Sequence, residues 1–249
     1  MEHWEIVFFF LIIAFIYSSV GFGGGSSYLA ILALYALPFK EMRLIALVCN
    51  IIVVTGGVIV YIKNRQVAWK KIVPLVLVSV PLAFLGARLK ISQDTFFIVL
   101  GCSLLIAGIL LWIKTKQVNA DVTTSPNYIK DGLLGGAIGF LSGMVGIGGG
   151  IFLSPLLNLM KWDAPKRIAA TASFFILVNS IAGIVGQLKD LPASLNYTRI
   201  LFLCLAVLIG GQLGSRMAAV KFNQGVVKRI TAVVVFFAGV EVLLKHIHA

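Results

Sequence analysis

Apolar residues fall into ten runs separated by short polar or charged connections, at about 5–20, 26–37, 43–62, 71–87, 95–113, 129–143, 150–160, 167–187, 199–215 and 226–244. Runs of this kind predict helices in contact with hydrocarbon. The second and seventh are short: at 1.5 Å per residue they reach only roughly 17 to 18 Å, well under a hydrocarbon core of ~30 Å. They are expected to be half-helices.

The pattern repeats. Val20-Gly-Phe-Gly-Gly-Gly25 returns as Val145-Gly-Ile-Gly-Gly-Gly150 at an offset of 125, and Gly86-Ala-Arg88-Leu89 returns as Gly214-Ser-Arg216-Met217 at an offset of 128. The longest polar stretch, Lys114 to Lys130 (KTKQVNADVTTSPNYIK), lies between the copies. The expected organisation is a first transmembrane repeat at 1–116, a polar linker at 117–128 and a second repeat at 129–249. Five segments per half is an odd number, so the second half enters the membrane inverted. The fold class expected is therefore an all-α polytopic membrane protein: two inverted repeats of about five hydrophobic segments each, with glycine-broken short helices.

Composition agrees. The chain is 59% hydrophobic and 12% charged with a mean hydropathy of +1.02, against about 25% charged residues in a soluble domain. At about 20 residues per span, 249 residues leave no room for a separate soluble domain. The net charge of +12 is scattered in short clusters between apolar runs, which suits membrane topology and anionic headgroups rather than nucleic acid. With ten segments, fourteen of the twenty-one Lys and Arg residues collect on one side, whereas eight continuous crossings would split them ten to eleven. The positive-inside rule then makes the fourteen-residue side cytoplasmic and turns both termini outward. The two glycine motifs approach the midplane from opposite faces. Each short pair is either a full crossing or a re-entrant hairpin, two arrangements with the same parity.

The first run follows Glu2 and Glu5 rather than a basic region and has no A-x-A-like cleavage site, so it is read as part of the mature fold. Cys49, Cys102 and Cys204 lie inside apolar runs without C-x-x-C spacing, and His3, His246 and His248 sit at the termini. Neither a disulfide framework nor a metal site is indicated, and no cofactor is expected.

Four glycines in five positions, at 21–25 and again at 146–150, break the helix inside an apolar run. Irregular backbone at membrane depth must face protein or a water-filled cavity. A new helix starts after each break, so Gly23, Gly24, Gly25, Gly148, Gly149 and Gly150 are expected to present free N–H groups and a positive dipole end to an anion. Ser26 and Ser27 add hydroxyls in the first copy; Ile151 and Phe152 replace them in the second. The competing explanation is close helix packing through small residues. A phosphate loop of soluble enzymes fits poorly, since no Lys-Ser/Thr follows the glycines and no strand is expected before them.

Arg88 and Arg216 hold matching places, where snorkelling is the ordinary role and a cation near the cavity mouth the functional one. Among polar residues in apolar runs, interhelical hydrogen bonding is the default for Thr55, Gln187 and Gln212, and the competing role for Thr171 and Ser173, which join the candidate site. Asn50 and Asn179, amides in the corresponding third segments, are candidate substrate contacts. Glu241 is the one intramembrane carboxylate on this reading, and Lys245 four residues on makes a local ion pair its simpler role. No nucleophile–base pair, metal cluster or acid pair suggests an enzyme.

The duplicated V-G-F-G-G-G-S-S and V-G-I-G-G-G-I-F-L-S-P, with Pro165-Lys-Arg-Ile-Ala-Ala-Thr-Ala-Ser173 and Gly214-Ser-Arg216, resemble the TauE/SafE (sulfite exporter, TSUP) family over nearly the whole chain. The resemblance implies transport of sulfite, sulfonates or similar small sulfur anions across the bacterial inner membrane by alternating access. The first half departs from the pattern, with Leu47, Val48 and Cys49 in the region of Thr171, Ala172 and Ser173. A passive anion channel is the alternative, and a membrane-embedded enzyme or assembly factor a more distant one. The partners expected are a small anion and membrane lipids, with no nucleic acid and with a homodimer as an assembly the sequence allows.

Overall fold

The computed structural model describes residues 4–19, 21–113, 127–190, 195–218 and 224–247. The linker expected at 117–128 lies outside them except for Asn127 and Tyr128, as do Val20, His3 and His248. The described residues form ten α-helices and no strand: α1 Glu5–Ser18, α2 Gly25–Leu34, α3 Phe39–Lys63, α4 Trp69–Arg88, α5 Gln93–Trp112, α6 Tyr128–Val145, α7 Gly150–Leu159, α8 Pro165–Gln187, α9 Tyr197–Ala218 and α10 Gln224–Ile247. Five of them, α3, α4, α5, α8 and α9, are long and apolar enough to cross a membrane.

Most helices start a residue or more earlier than the apolar runs suggest, and prolines set two of these starts. Pro38, with ψ 130, precedes α3 and lets the helix begin at Phe39, so Lys40 and Glu41 are helical rather than connecting and Arg43 lies a full turn inside. Pro165 opens α8 at its first position, where its missing N–H would be unpaired in any case.

The short helices have 10 residues each, about 15 Å and half a hydrocarbon core. Each is split from its predecessor by left-handed glycines: Gly21 (φ 81) and Gly24 (φ 90) before α2, and Gly146, Gly148 and Gly149 (φ 86, 83 and 82) before α7. The chain turns back at these points. Glu5, at the start of α1, hydrogen-bonds Tyr35, which ends α2. Asp131, in the first turn of α6, accepts from Trp162 Nε1 at 3.0 Å just beyond α7. Each pair therefore enters and leaves at one face, and because its 10-residue return arm reaches only about half a hydrocarbon core, it forms a re-entrant hairpin rather than two full crossings.

The main packing partners lie in opposite halves. The helix α1 runs beside α9, where a Cβ on Gly210 or Gly214 would strike the Leu11 or Phe15 carbonyl. In the same parallel register α6 runs beside α4, with Gly135, Gly139 and Gly143 against the backbone of Leu75, Ser79 and Ala83. The helices α3 and α8 pack together, as do α5 and α10. Exchanging each helix with the one five places on converts the first pairing into the second and leaves the other two unchanged. Small-residue packing is thus real here, but mainly at glycines outside the two motifs.

Carboxylates are buried where the apolar pattern pointed only to Glu241, which is itself exposed. Asp163 is 1% exposed and meets Lys71 Nζ at 2.9 Å; Lys71 also donates to the Trp162 carbonyl (3.0 Å) and lies 5.0 Å over the Trp162 ring. At the other end of the molecule Arg199 bonds Glu41 at 3.3 Å. These pairs clamp α4 to the entry of α8 and α9 to the entry of α3.

Candidate functional site

The glycine breaks meet near the middle of α3. Asn50 is fully buried there, and its Nδ2 donates to the carbonyl of Ile147, inside the second break, at 2.9 Å. Its Oδ1 has no protein partner. A Cβ on Gly23, Gly25 or Gly148 would strike this amide, and one on Gly23, Gly148 or Gly150 would strike Ile176. Asn50 against Gly25 and Ile176 against Gly150 therefore hold matching places, 126 residues apart. Asn179 shares the corresponding helix but not the position: its counterpart is Val53, and its Nδ2 donates to Ser79 Oγ (3.1 Å) and the Phe175 carbonyl (2.8 Å). By the same offset Thr171 and Ser173 match Ile45 and Leu47, two residues before the stretch that runs to Cys49.

Ser26 and Ser27 are both buried in the first turn of α2, with Ser27 Oγ hydrogen-bonded to Tyr17 Oη at 2.5 Å. Ser173 Oγ donates to the carbonyl of Gly21 (2.8 Å) or to that of Ala169 (2.9 Å), tying α8 to the tip of the first hairpin. Thr171 bonds back to the Arg167 carbonyl at 2.8 Å within its own helix. Both predicted arginines are exposed; Arg88 rests 5.4 Å over the Phe84 ring.

Two cavities flank the crossing. One, of ≈290 Å³, opens at the C-terminal ends of α1, α3 and α9 and the start of α8, with Gly21, Phe22, Tyr61, Asn64, Lys166 and Ser173 in its wall. The other, of ≈220 Å³, opens at the start of α3 and the ends of α4 and α8, lined by Lys40, Arg43, Lys90, Gln187 and Asp190 among others. They lie at opposite ends of α3 and of α8, and hence on opposite faces. Each is touched by the tip of the hairpin that enters from the other face: Gly21 lines the first, and Gly146 packs on Arg43 of the second. Of the residues predicted from sequence, Ser173 reaches a cavity wall, whereas Gly23, Gly24, Gly25, Gly148, Gly149, Gly150 and Asn50 form the partition between cavities. Arg88 and Arg216 line neither.

Sequence reasoning missed Arg43, counted only as a topology-setting charge. The signal available was Pro38, which starts the helix early enough to carry Arg43 inward.

Residues 6–242 match the family model described as sulfite exporter TauE/SafE. The chain is similar to the probable membrane transporter protein y4hK of Sinorhizobium fredii, 29% identical over 237 residues that cover 94% of this chain and 95% of that one. It is also similar to the probable membrane transporter protein YunE of Bacillus subtilis, 25% identical over 218 residues and 79% of each chain. The probable membrane transporter protein MJ0441 of Methanocaldococcus jannaschii is 25% identical over 172 residues, 65% of this chain and 62% of that one. No solved structure matches.

Proposed function

The chain belongs to the sulfite exporter TauE/SafE family and is a membrane transporter, and on that premise we propose that it carries a small anion, sulfite or an organosulfonate, by alternating access. The observation that carries this reading is the pair of cavities at opposite ends of α3 and α8, separated by a partition built from two glycine breaks. The partition is thin in the chemical sense. One side-chain hydrogen bond, Asn50 to Ile147, ties α3 to the second break, and first-turn peptide N–H groups of α2 and α7, which a helix leaves without partners of its own, offer an anion its hydrogen bonds without a buried counter-charge.

In this reading the halves 1–116 and 129–249 are inverted copies, and rocking of one against the other opens one cavity while closing the second. Ser26, Ser27 and Ser173 supply hydroxyls beside the breaks. The face with fourteen basic residues is cytoplasmic, and the membrane is the bacterial inner membrane.

The test is sulfite flux into liposomes containing the purified full-length chain, followed by counterflow. A carrier loaded with sulfite on one side accelerates exchange from the other; an open pore does not. Absence of sulfite and sulfonate flux from a folded preparation overturns the substrate, and flux without counterflow overturns alternating access.

A further inference from the structure

The ≈220 Å³ cavity concentrates positive charge that the partition does not use. Lys40, Arg43 and Lys90 line it against one carboxylate, Asp190. Arg43 is only 4% exposed, and its Nη2 is shared between the carbonyls of Ala87 (3.2 Å) and Gly143 (2.9 Å), at the ends of α4 and α6. Carbonyl dipoles hold the guanidinium in place without cancelling its charge, and burying such a charge is unfavourable unless something compensates it. Two donors in the same wall are unpaired: Arg43 Nε and Gln187 Nε2, the latter on a residue 4% exposed.

The fold does not require an arginine there. On the opposite face Gly21 packs against Ala169 as Gly146 packs against Arg43, each glycine with a Cβ position 3.1 Å from the neighbour's own Cβ. Alanine fills the matching place.

We propose that this cavity is an anion subsite distinct from the glycine partition, in which Arg43 and Gln187, with Lys40 and Lys90 at the rim, hold a small sulfonate-like or sulfate-like oxyanion. The proposal rests on the transport reading and names where the anion waits on the face opposite the cytoplasm. A guanidinium already fixed through one nitrogen keeps the fork geometry that two oxygens of a sulfonate accept. The exposed lysines raise the local anion concentration.

The experiment uses the full-length chain in detergent, carrying Leu89→Cys as a reporter in the cavity wall and Cys102→Ala and Cys204→Ala to silence the other accessible thiols. Maleimide labelling of Leu89→Cys is timed against increasing methanesulfonate, with gluconate at equal ionic strength as control. Methanesulfonate is expected to slow labelling. The concentration that halves the rate should rise roughly threefold with Lys90→Gln, the scale of an exposed charge pair. It should rise about tenfold or more with Arg43→Lys, which keeps the charge but loses the fork. If Arg43→Lys does not fold, the exposed pair Lys40→Gln and Lys90→Gln must together produce the shift. Labelling indifferent to methanesulfonate, or equal protection in every variant, overturns the subsite even where sulfite flux is intact. Protection without flux keeps the subsite and removes the transport reading instead.

Discussion

The side-chain amide of Asn50 donates to the main-chain carbonyl of Ile147 at 2.9 Å, joining positions 97 residues apart. Asn50→Leu keeps the volume and leaves that carbonyl unpaired in a buried site, so stability should fall by about 1–3 kcal/mol. Thermal unfolding in detergent measures it. Asn50→Asp lacks the donor when ionised and then also buries a charge, so at alkaline pH it should lose at least as much as Asn50→Leu; an unchanged melting temperature in both variants would show that the bond contributes nothing.

Gly24 and Gly149 cap α2 and α7 at φ 90 and 82. An L-residue in that conformation costs about 1–2 kcal/mol, and the added carbon would also press on the Tyr28 ring at Gly24 or the Phe175 ring at Gly149. Gly24→Ala and Gly149→Ala should each lower stability by at least that amount. Gly24→Val and Gly149→Val, bulkier still, are expected to abolish sulfite flux; wild-type flux from a folded Val variant would remove the helix-end mechanism.

The Lys71–Asp163 and Arg199–Glu41 pairs differ in burial, with cation side chains 10% and 30% exposed and carboxylates 1% and 7%. Lys71→Met removes the closest partner of buried Asp163 but leaves Arg167 at 3.6 Å and the Ala164 N–H, so it should destabilise by less than the ~3–5 kcal/mol of a fully unpaired buried charge. Arg199→Met leaves a carboxylate nearer water and should lose markedly less. Adding Asp163→Leu to Lys71→Met should recover part of the deficit in chemical unfolding. Equal losses at the two ends would contradict the difference in burial.

Gly143 lies so close to the Ala83 carbonyl that a Cβ cannot fit without separating α6 from α4. Gly143→Ala should reduce stability by about 1–3 kcal/mol, as overpacking does. The same change at Gly57, where a Cβ would stand 3.8 Å from the Tyr61 ring, should be nearly silent.

Much of this architecture is legible in the sequence because lipid imposes a strict code. Hydrocarbon length sets where helices start and stop, so all ten segments and the shortness of the second and seventh could be read directly. Left-handed glycines at the breaks follow from the same code, since four glycines in an apolar run have few other uses. Charge could not reveal the hairpins, because full crossing and re-entry leave charges on the same sides; the contacts that hold both ends of each pair at one face, Glu5 with Tyr35 and Asp131 with Trp162, lie about 30 positions apart. The equivalence of Asn50 with Ile176 was hidden by a one-residue drift in offset, from 125 at the glycines to 126 in the third helices. The burial of Arg43 was signalled only indirectly, by Pro38, because charge alone cannot distinguish a snorkelling arginine from one that carbonyls hold inside.

The crossed pairing of α1 with α9 and of α4 with α6 has a consequence for biosynthesis. The seat of the first hairpin does not exist until the ribosome has passed Tyr197, where α9 begins. Until then α1 lacks its main packing partner, although α8 already reaches the Gly21 carbonyl through Ser173. Docking of α1 must therefore wait for roughly the last fifth of the polypeptide, and a translation arrest before α9 leaves an insertion intermediate with that face of α1 uncovered.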